Sequence, residues 1–343
     1  MALADARTKA RKIRSQIEAG LDPIVERRKE AGIPTFREAA ALVHAEHKAG
    51  WKNGKHNAQW LSSLENHVFP GLGEVAVSQI EAPAVRDVLA AIWLTKPETA
   101  KRIRQRIKTI VDWAVAKGYR ETTLPMPVID KALPKQRVVV KHHEALAYAD
   151  LPEFLKKLRE KETVGRLALE ALILTCVRSG DVRGMKWAEI DLEALVWRVP
   201  VEDGRGKGMR IHNVPVTPSM LALLERAKPY RRANSDLVFA GFGRGKTPLE
   251  AVPLSDNTLR KVAIDMGYAI TAHGFRSTFA DWVAESTTFP RELKEAALAH
   301  TNKDKVEAAY TRTDYLEKRR ILMAAWADYC EGTDGGNVVR LAG

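Results

Sequence analysis

Cysteine is nearly absent from this chain, and long apolar runs are missing. Only Cys176 and Cys330 occur among 343 residues, with no Cys-x-x-Cys spacing, so neither a disulfide framework nor a cysteine zinc site is predicted. Cys176 lies in the apolar run 169–177 and is typical of a small buried side chain. No run of about 18 apolar residues and no signal-peptide core is present, which argues against a membrane protein. We therefore expect a cytoplasmic protein in a reducing compartment.

Acidic residues are also in short supply. The chain has 55 Lys and Arg against 43 Asp and Glu, which gives a formal net charge of +12. A polyanionic partner is expected, and nucleic acid is favoured because membrane signals are missing. The length predicts two or three domains, and 45% hydrophobic residues are enough to bury their cores.

The first third of the chain has the apolar periodicity of helices. Residues 1–30 are typical of one charged helix that ends near Gly20. The segment 33–124 is predicted to be helical, and its first helix opens with a capping box of Thr35 and Glu38.

A basic helix is predicted from Thr99 onwards. No acid lies between Lys101 and Lys108, whereas ordinary surface helices mix charges of both signs. A merely solvated face is the alternative, but a face of one sign suits salt-sensitive contacts with phosphates. The DNA contacts predicted on this helix are Lys101, Arg102, Arg104, Arg106 and Lys108.

Residues 125–142 contain prolines and cations without helical periodicity, so they are predicted to be a basic linker. We expect this linker to cross the DNA backbone between two domains, with contacts from Lys135, Arg137 and Lys141.

The segment 143–335 is predicted to be a second domain. Its residues 164–177 have the composition of a buried helix, and 191–200 and 211–216 have that of two strands joined by a glycine-rich turn. Most of the remaining segment is helical. The predicted fold class is mainly α with a small antiparallel β-sheet.

Five polar side chains of this second domain together indicate attack of a phenol on a phosphodiester. Arginine meets phosphate with a planar fork of donors, histidine moves protons near neutral pH, and tyrosine forms covalent intermediates. Taken singly, each has an ordinary explanation as a helix-end arginine, a core or surface histidine, or a buried aromatic. The five are Arg178, His273, Arg276, His300 and Tyr310.

The boxes His273-Gly274-Phe275-Arg276 and Leu298-Ala299-His300, followed by Tyr310, resemble those of tyrosine recombinases in order and approximate spacing. The chain resembles this family, the integrases of phages and genomic islands, over about residues 1–330. The resemblance implies a site-specific recombinase that integrates or excises a mobile element through a 3′-phosphotyrosine, without a metal or other cofactor. A topoisomerase of the same chemistry and a non-catalytic DNA-binding regulator with this fold are the alternatives.

The resemblance also implies roles for single residues. Arg178 and Arg276 would hold the phosphate, His273 would assist proton transfer at the tyrosine, and His300 would donate to a phosphate oxygen. Lys207 would protonate the departing 5′ oxygen, although the glycines around it depart from the usual apolar neighbour.

Two further residues are left with two interpretations each. Asp181 either orients Arg178 or forms a surface salt bridge. His212 either bonds the backbone of its hairpin or assists the phosphate site.

The architecture implied by the resemblance is a two-domain DNA clamp. Residues 1–30 would be the last helix of an arm-binding domain, 33–124 the helical core-binding domain, and 143–335 the catalytic domain. The helix predicted over 314–329 packs either on its own domain or, as is common in the family, on a neighbouring protomer. The expected partners are double-stranded attachment-type DNA, three further copies in a homo-tetramer, and DNA-bending accessory proteins of host or phage, in the bacterial cytoplasm at the nucleoid.

Overall fold

The chain forms two compact units that divide between Val140 and Lys141. The computed structural model describes residues 10–11, 13–15, 17–20, 32–48, 50, 54–136, 144–201, 211–242, 251–300 and 313–333. No helix within these ranges is long and apolar enough to cross a membrane.

The first unit is helical. Its first helix opens with the predicted capping box, in which the backbone N–H of Thr35 donates to Glu38 Oε2 at 2.7 Å and the Glu38 N–H donates to Thr35 Oγ1 at 3.1 Å. The core includes Phe36, Trp60 and Leu89. The described helices of the unit are α1 (Phe36–Lys48), α2 (Gly54–His67), α3 (Phe69–Leu72), α4 (Ala82–Trp93), α5 (Pro97–Ala116) and α6 (Met126–Lys131).

Helix α5 carries the apolar stripe that the sequence predicts. Ile103, Ile107 and Ile110 are fully buried against the rest of the unit. The helix begins two residues before the predicted start at Thr99, with Pro97 in its first turn, because proline has a preset helical φ and needs no N–H partner there.

The predicted linker 125–142 needs correction. Its first part forms helix α6, and Met126, Ile129 and Leu133 are buried in the core of the first unit. This helix is only six residues long, so the sequence shows too few turns for a helical period to be recognised. Lys135 is exposed, whereas Arg137 and Lys141 lie outside the described residues.

The second unit is built around helix α8 (Val164–Thr175), which is buried along most of its length and packs against six other described helices of the unit. Thr163 caps it by accepting from the backbone N–H of Arg166 at 3.3 Å. The other described helices are α7 (Leu151–Arg159), α9 (Ser179–Arg183), α10 (Pro218–Ala227), α11 (Thr258–Asp265), α12 (Gly274–Ser286), α13 (Arg291–Ala297) and α14 (Leu316–Cys330).

Two small antiparallel sheets accompany these helices. The first has the order β1-β2-β3, and Val199 pairs with His212 while Trp197 pairs with Val214. The predicted hairpin is therefore present, although its glycine-rich turn lies outside the described residues. The described strands are β1 (Ile190–Asp191), β2 (Val196–Val199), β3 (His212–Pro215), β4 (Ala240–Phe242) and β5 (Ala251–Pro253).

Helix α14 packs on its own unit. Leu322 and Trp326 are buried in the core of the second unit, and the indole N–H of Trp326 donates to the carbonyl of Ile173 at 2.8 Å. Of the two arrangements expected for this helix, the described chain shows the one in which it packs on its own domain.

Candidate active site

Arg178 stands where the central helix α8 ends. Cys176 adopts a left-handed conformation with φ 56°, which terminates the helix and turns the chain. Arg178 is extended and caps α9, and its backbone N–H donates to Asp181 Oδ2 at 3.3 Å. Asp181 is only 4% exposed, so it orients the backbone of Arg178 from inside the unit, and the surface-salt-bridge interpretation is wrong.

Arg276 lies in the first turn of α12 and is 4% exposed. Its Nη1 donates to the carbonyl of Cys176 and its Nη2 to that of Leu298, each at 2.5 Å. The guanidinium therefore joins the end of α8 to the end of α13. Its Nε is buried without a hydrogen-bond partner among the described residues, so one donor of a buried charge is left over.

The two arginines meet at one turn. Arg178 Nη2 donates to the carbonyl of Ala299 at 3.0 Å, directly beside the Leu298 carbonyl that Arg276 holds. Burial, together with the charge of Arg178, lowers the pKa of Arg276 to about 10. The guanidinium of Arg276 therefore remains protonated at neutral pH, and an anion would relieve its repulsion with Arg178.

His300 lies next to this pair. Its Nε2 is 3.3 Å from Arg276 Nη2, and its Nδ1 is 2.7 Å from Glu295 Oε2. Ala299 has φ 47°, which brings the histidine back over helix α13. Sequence reasoning missed Glu295, although its place five residues before His300, little more than one helical turn, was a usable signal.

His273 occupies the N-cap position of α12, three residues before Arg276, and its side chain is exposed. The glycine that follows it has a steric cause. A Cβ at Gly274 would overlap the backbone carbonyl of Glu144, which also accepts from the N–H of Thr271 at 3.2 Å. The start of the second unit therefore packs against the start of α12 and leaves no room for a side chain there.

His212 lies on β3, close enough to the arginines for their charges to act on it. The backbone of Ala297 bonds its imidazole, while its Nε2 is buried without a partner in the described part of the chain. Burial, reinforced by Arg319, Arg178 and Arg276, lowers the pKa of His212 to about 4. The imidazole is therefore neutral at pH 7, and it bonds α13 rather than its own hairpin.

Arg319 of α14 is a second buried arginine of this unit, 1% exposed, which sequence reasoning missed. Its Nε donates to the carbonyl of Asp314 at 2.8 Å, and Asp314 Oδ2 accepts from Asn213 Nδ2 at 2.8 Å. This contact ties the start of α14 to β3. No local pattern distinguishes such an arginine from the exposed cations of an amphipathic helix.

Tyr310 and Lys207 lie outside the described residues, so their predicted positions in the site stay predictions. Among the predicted site residues that are described, Arg178, Arg276, His300 and His212 come together, Asp181 supports Arg178, and His273 stands one turn before Arg276.

The predicted DNA face of α5 is less uniform than its sequence. Arg104 donates from Nε and Nη2 to the two carboxylate oxygens of Asp130, each at 2.5 Å, while Lys101 pairs with Glu98 and Lys108 with Asp112. Arg102 is exposed.

Arg106 does not belong to that face. It is 5% exposed, donates to the carbonyl of Gln59 at 3.2 Å and to Ser63 Oγ, and lies over the ring of Trp60. Its donors face the interior, so Arg106 is removed from the predicted DNA contacts.

Two family models match the chain, the phage integrase central domain over residues 36–129 and the phage integrase family over residues 144–317. Putative protein IntB of Escherichia coli K12 is 30% identical, with 96% of this chain and 86% of that protein covered. Prophage integrase IntZ of the same strain is 31% identical, with 98% and 82% covered. The integrase of Enterobacteria phage P4 is 28% identical, with 96% and 77% covered.

Two solved structures share the fold. A lambda integrase tetramer bound to a Holliday junction superposes with a TM-score of 0.60 at 17% identity, covering 89% of each chain. The Tn1549 transposon integrase in complex with circular intermediate DNA superposes with a TM-score of 0.56 at 14% identity, covering 81% of this chain and 99% of that one.

Proposed function

This chain belongs to the phage integrase family and is a site-specific recombinase of the tyrosine type, and on that premise we propose which residues carry its chemistry. Tyr310 attacks a scissile phosphate of double-stranded DNA. A bond forms between the tyrosine oxygen and phosphorus while the bond from phosphorus to the 5′ oxygen breaks. Tyr310 loses its phenolic proton with the assistance of His273, and the departing 5′ oxygen takes a proton from Lys207. The products are therefore a 3′-phosphotyrosine and a free 5′ hydroxyl.

Rejoining reverses these steps on a partner strand. A 5′ hydroxyl attacks the phosphotyrosine, and the tyrosine leaves with a proton. Because the phosphotyrosine ester retains the bond energy, no cofactor enters the proposed steps. The two arginines carry the charge stabilisation for which other phosphoryl-transfer enzymes use metal ions.

The observation that carries the proposal is the shared turn of Arg178 and Arg276. Their guanidinium groups bond successive carbonyls of the segment 298–299, and Arg276 retains a buried Nε donor. Two close cations and an unused donor suit contacts with both non-bridging oxygens of one phosphate. The negative charge on these oxygens increases in the pentavalent transition state.

The histidines receive roles around this phosphate. His300 donates from Nε2 to a phosphate oxygen, and His273 assists proton transfer at Tyr310. Asp181 holds Arg178 in place through its backbone. His212 supports the arginine cluster as a neutral imidazole, since a fourth cation there would meet strong repulsion.

DNA binding and assembly are proposed from the relatives. Solved lambda integrase structures include a dimer bound to a core site and a tetramer bound to a Holliday junction. We propose that four copies of this chain exchange strands between two attachment-type sites of a mobile element, with accessory DNA-bending proteins. The helical unit contacts the duplex through exposed cations, among them Lys101, Arg102, Lys108 and Lys135.

The test presents the protein with duplex DNA that is nicked near the scissile phosphate, so that cleavage releases a short strand and traps the covalent adduct. The unaltered chain should form adducts, and Tyr310→Phe should form none while binding DNA equally well. Adducts from Tyr310→Phe would contradict the proposal. Supplying two sites distinguishes a recombinase, which yields exchanged products, from a topoisomerase, which yields only relaxed DNA.

A further inference from the structure

Glu295 holds His300 at two points. The backbone N–H of His300 donates to the Glu295 carbonyl at 3.0 Å, and the ring Nδ1 lies 2.7 Å from the carboxylate Oε2. The left-handed turn at Ala299 makes both contacts compatible. One contact would fix only the position of His300, whereas two contacts to the same residue also fix the orientation of its ring.

The carboxylate determines which ring nitrogen carries the hydrogen. Burial opposes ionisation of Glu295, but the hydrogen bond from His300 and the charges of His300, Lys294 and Arg291 outweigh it, so the pKa of Glu295 lies below its usual value. An ionised carboxylate only accepts hydrogen bonds, so Nδ1 must be the donor. The remaining nitrogen, Nε2, is then the one that faces Arg276.

Protonation of Nε2 depends on the charges around the ring. Without an anion, a second proton would place a third positive charge beside Arg178 and Arg276, which is unfavourable. A bound phosphate reverses this balance, because the imidazole then lies between the phosphate and the carboxylate of Glu295. An imidazolium at this position would donate from Nε2 to the phosphate and from Nδ1 to Glu295.

We propose that Glu295 is a positioning residue of the cleavage reaction, which fixes the tautomer of His300 and stabilises the imidazolium that donates from Nε2 to the scissile phosphate. The inference deepens the proposed function and rests on it. A carboxylate behind a catalytic imidazole plays this part in other enzymes, where the wrong tautomer slows the reaction strongly.

The experiment measures single-turnover adduct formation on nicked DNA between pH 5.5 and 9. Glu295→Gln keeps the shape and removes the charge, and Glu292→Gln makes the same change at an exposed position of the same helix. Glu295→Gln should slow cleavage roughly ten- to a hundredfold with unchanged DNA affinity. The alkaline limb of its pH profile should move to lower pH, because the protonated imidazole loses its partner. Glu292→Gln should match the unaltered chain.

A double-mutant cycle separates positioning from a general loss of structure. In a His300→Ala background, Glu295→Gln should cause no further loss, because the residue acts only through the imidazole. An equal loss in both backgrounds, or an unshifted pH profile with a lowered melting temperature, would overturn the inference.

A spectroscopic measurement tests the tautomer without requiring activity. Nitrogen-15 spectra of histidine-labelled protein, assigned by comparison with His300→Ala, should show the hydrogen of His300 on Nδ1 in the unaltered chain and a tautomer mixture in Glu295→Ala. Identical spectra would contradict the inference. If the spectra behaved as expected but the unaltered chain bound DNA without forming any adduct, the proposed function would fail, and with it the role of Glu295 in cleavage.

Discussion

Arg106 in the helical unit and Arg276 in the second unit are buried to nearly the same extent, 5% and 4% exposed. Their surroundings differ. Arg106 bonds the carbonyl of Gln59 and the hydroxyl of Ser63 and lies over the ring of Trp60. Arg276 also bonds carbonyls, but it has a second guanidinium and an imidazole beside it, and its buried Nε has no hydrogen-bond partner within the described ranges.

The difference shows that burial alone does not distinguish an arginine of the packing from an arginine of an anion site. The like charge that acts on Arg106 comes from Arg102, which is exposed to solvent on the same helix, while the groups that Arg106 bonds are neutral oxygens beside an aromatic face, so Arg106 is part of the packing of its unit. A buried cation beside another cation is electrostatically unfavourable until an anion arrives, and Arg276 accordingly has a pKa lowered to about 10 by burial and by Arg178. Such clustering is typical of sites that bind or transform anions.

The largest expected difference is between the lysine variants of Arg276 and Arg106. Arg276→Lys keeps the charge but loses the planar fork, and we expect adduct formation per folded molecule to fall roughly a hundred- to a thousandfold. Arg106→Lys should cleave within about twofold of the unaltered chain, since it lies in the packing of the other unit. Covalent trapping on nicked DNA, normalised to the folded fraction from circular dichroism, measures both. Equal losses of adduct formation in the two variants would show that Arg276 and Arg106 do not differ in their importance for cleavage.

The second effect concerns pH and the imidazole of His212, which lies near the arginine cluster. The pKa of His212 is lowered from 6.5 to about 4 in the folded protein, so the unfolded chain takes up a proton first as the pH falls. Its contribution to stability is present above pH 6.5 and is lost between pH 6.5 and 4. The loss amounts to roughly 3 kcal/mol at most.

His212→Asn tests this expectation, because asparagine retains a donor for Ala297 and does not titrate in this range. Urea unfolding at pH 7 and pH 4.5 should show a smaller loss of stability on acidification for the variant than for the unaltered chain. Equal losses of stability in both proteins would show that groups other than His212 cause the acid sensitivity.

The third effect is structural and belongs to the first unit. Arg106→Met should lower the free energy of unfolding by about 1–3 kcal/mol, because the carbonyl of Gln59 and the hydroxyl of Ser63 lose a charged donor. The urea midpoint of the transition gives this value. An unchanged or raised midpoint would show that apolar packing replaces the buried charge without loss.

The smallest effect compares two neighbours on α5. Arg102 is exposed, and Arg102→Ala should reduce the slope of log binding constant against log salt by about 0.9. Arg104 is engaged by Asp130 through two bonds, so Arg104→Ala should leave that slope nearly unchanged. Fluorescence anisotropy at several salt concentrations measures both slopes. Equal reductions would place both arginines on the DNA face.

Several features could be predicted from the sequence because local chemistry determines them. The capping box of Thr35 and Glu38, the buried helix α8 and the pairing of β2 with β3 follow from spacing within a few residues. The convergence of Arg178, Arg276 and His300 follows from the family resemblance, since no local rule brings positions 178 and 276 to one turn.

Other features required the folded chain. Arg106 follows Ile103 by three positions and so lies within the apolar stripe of α5. Its position on the buried side of the helix determined its burial, in spite of its charge. The roles of Glu295 and Gly274 depend on a left-handed alanine and on the approach of residue 144 from another part of the chain. Gly274 has no signal for this contact in its own neighbourhood of the sequence, and the spacing of Glu295 from His300 is the one local signal that was overlooked.

The carbonyls held by Arg276 have a consequence for how related sequences should be interpreted. The guanidinium joins the ends of α8 and α13, so the fold loses a brace whenever this arginine is replaced, whether or not DNA is ever cut. A descendant that had lost its nucleophile would still be selected to keep the arginine. In such a lineage, substitution of Tyr310 would be the first change in the sequence to indicate lost catalysis, and Arg276 would be among the last residues to change.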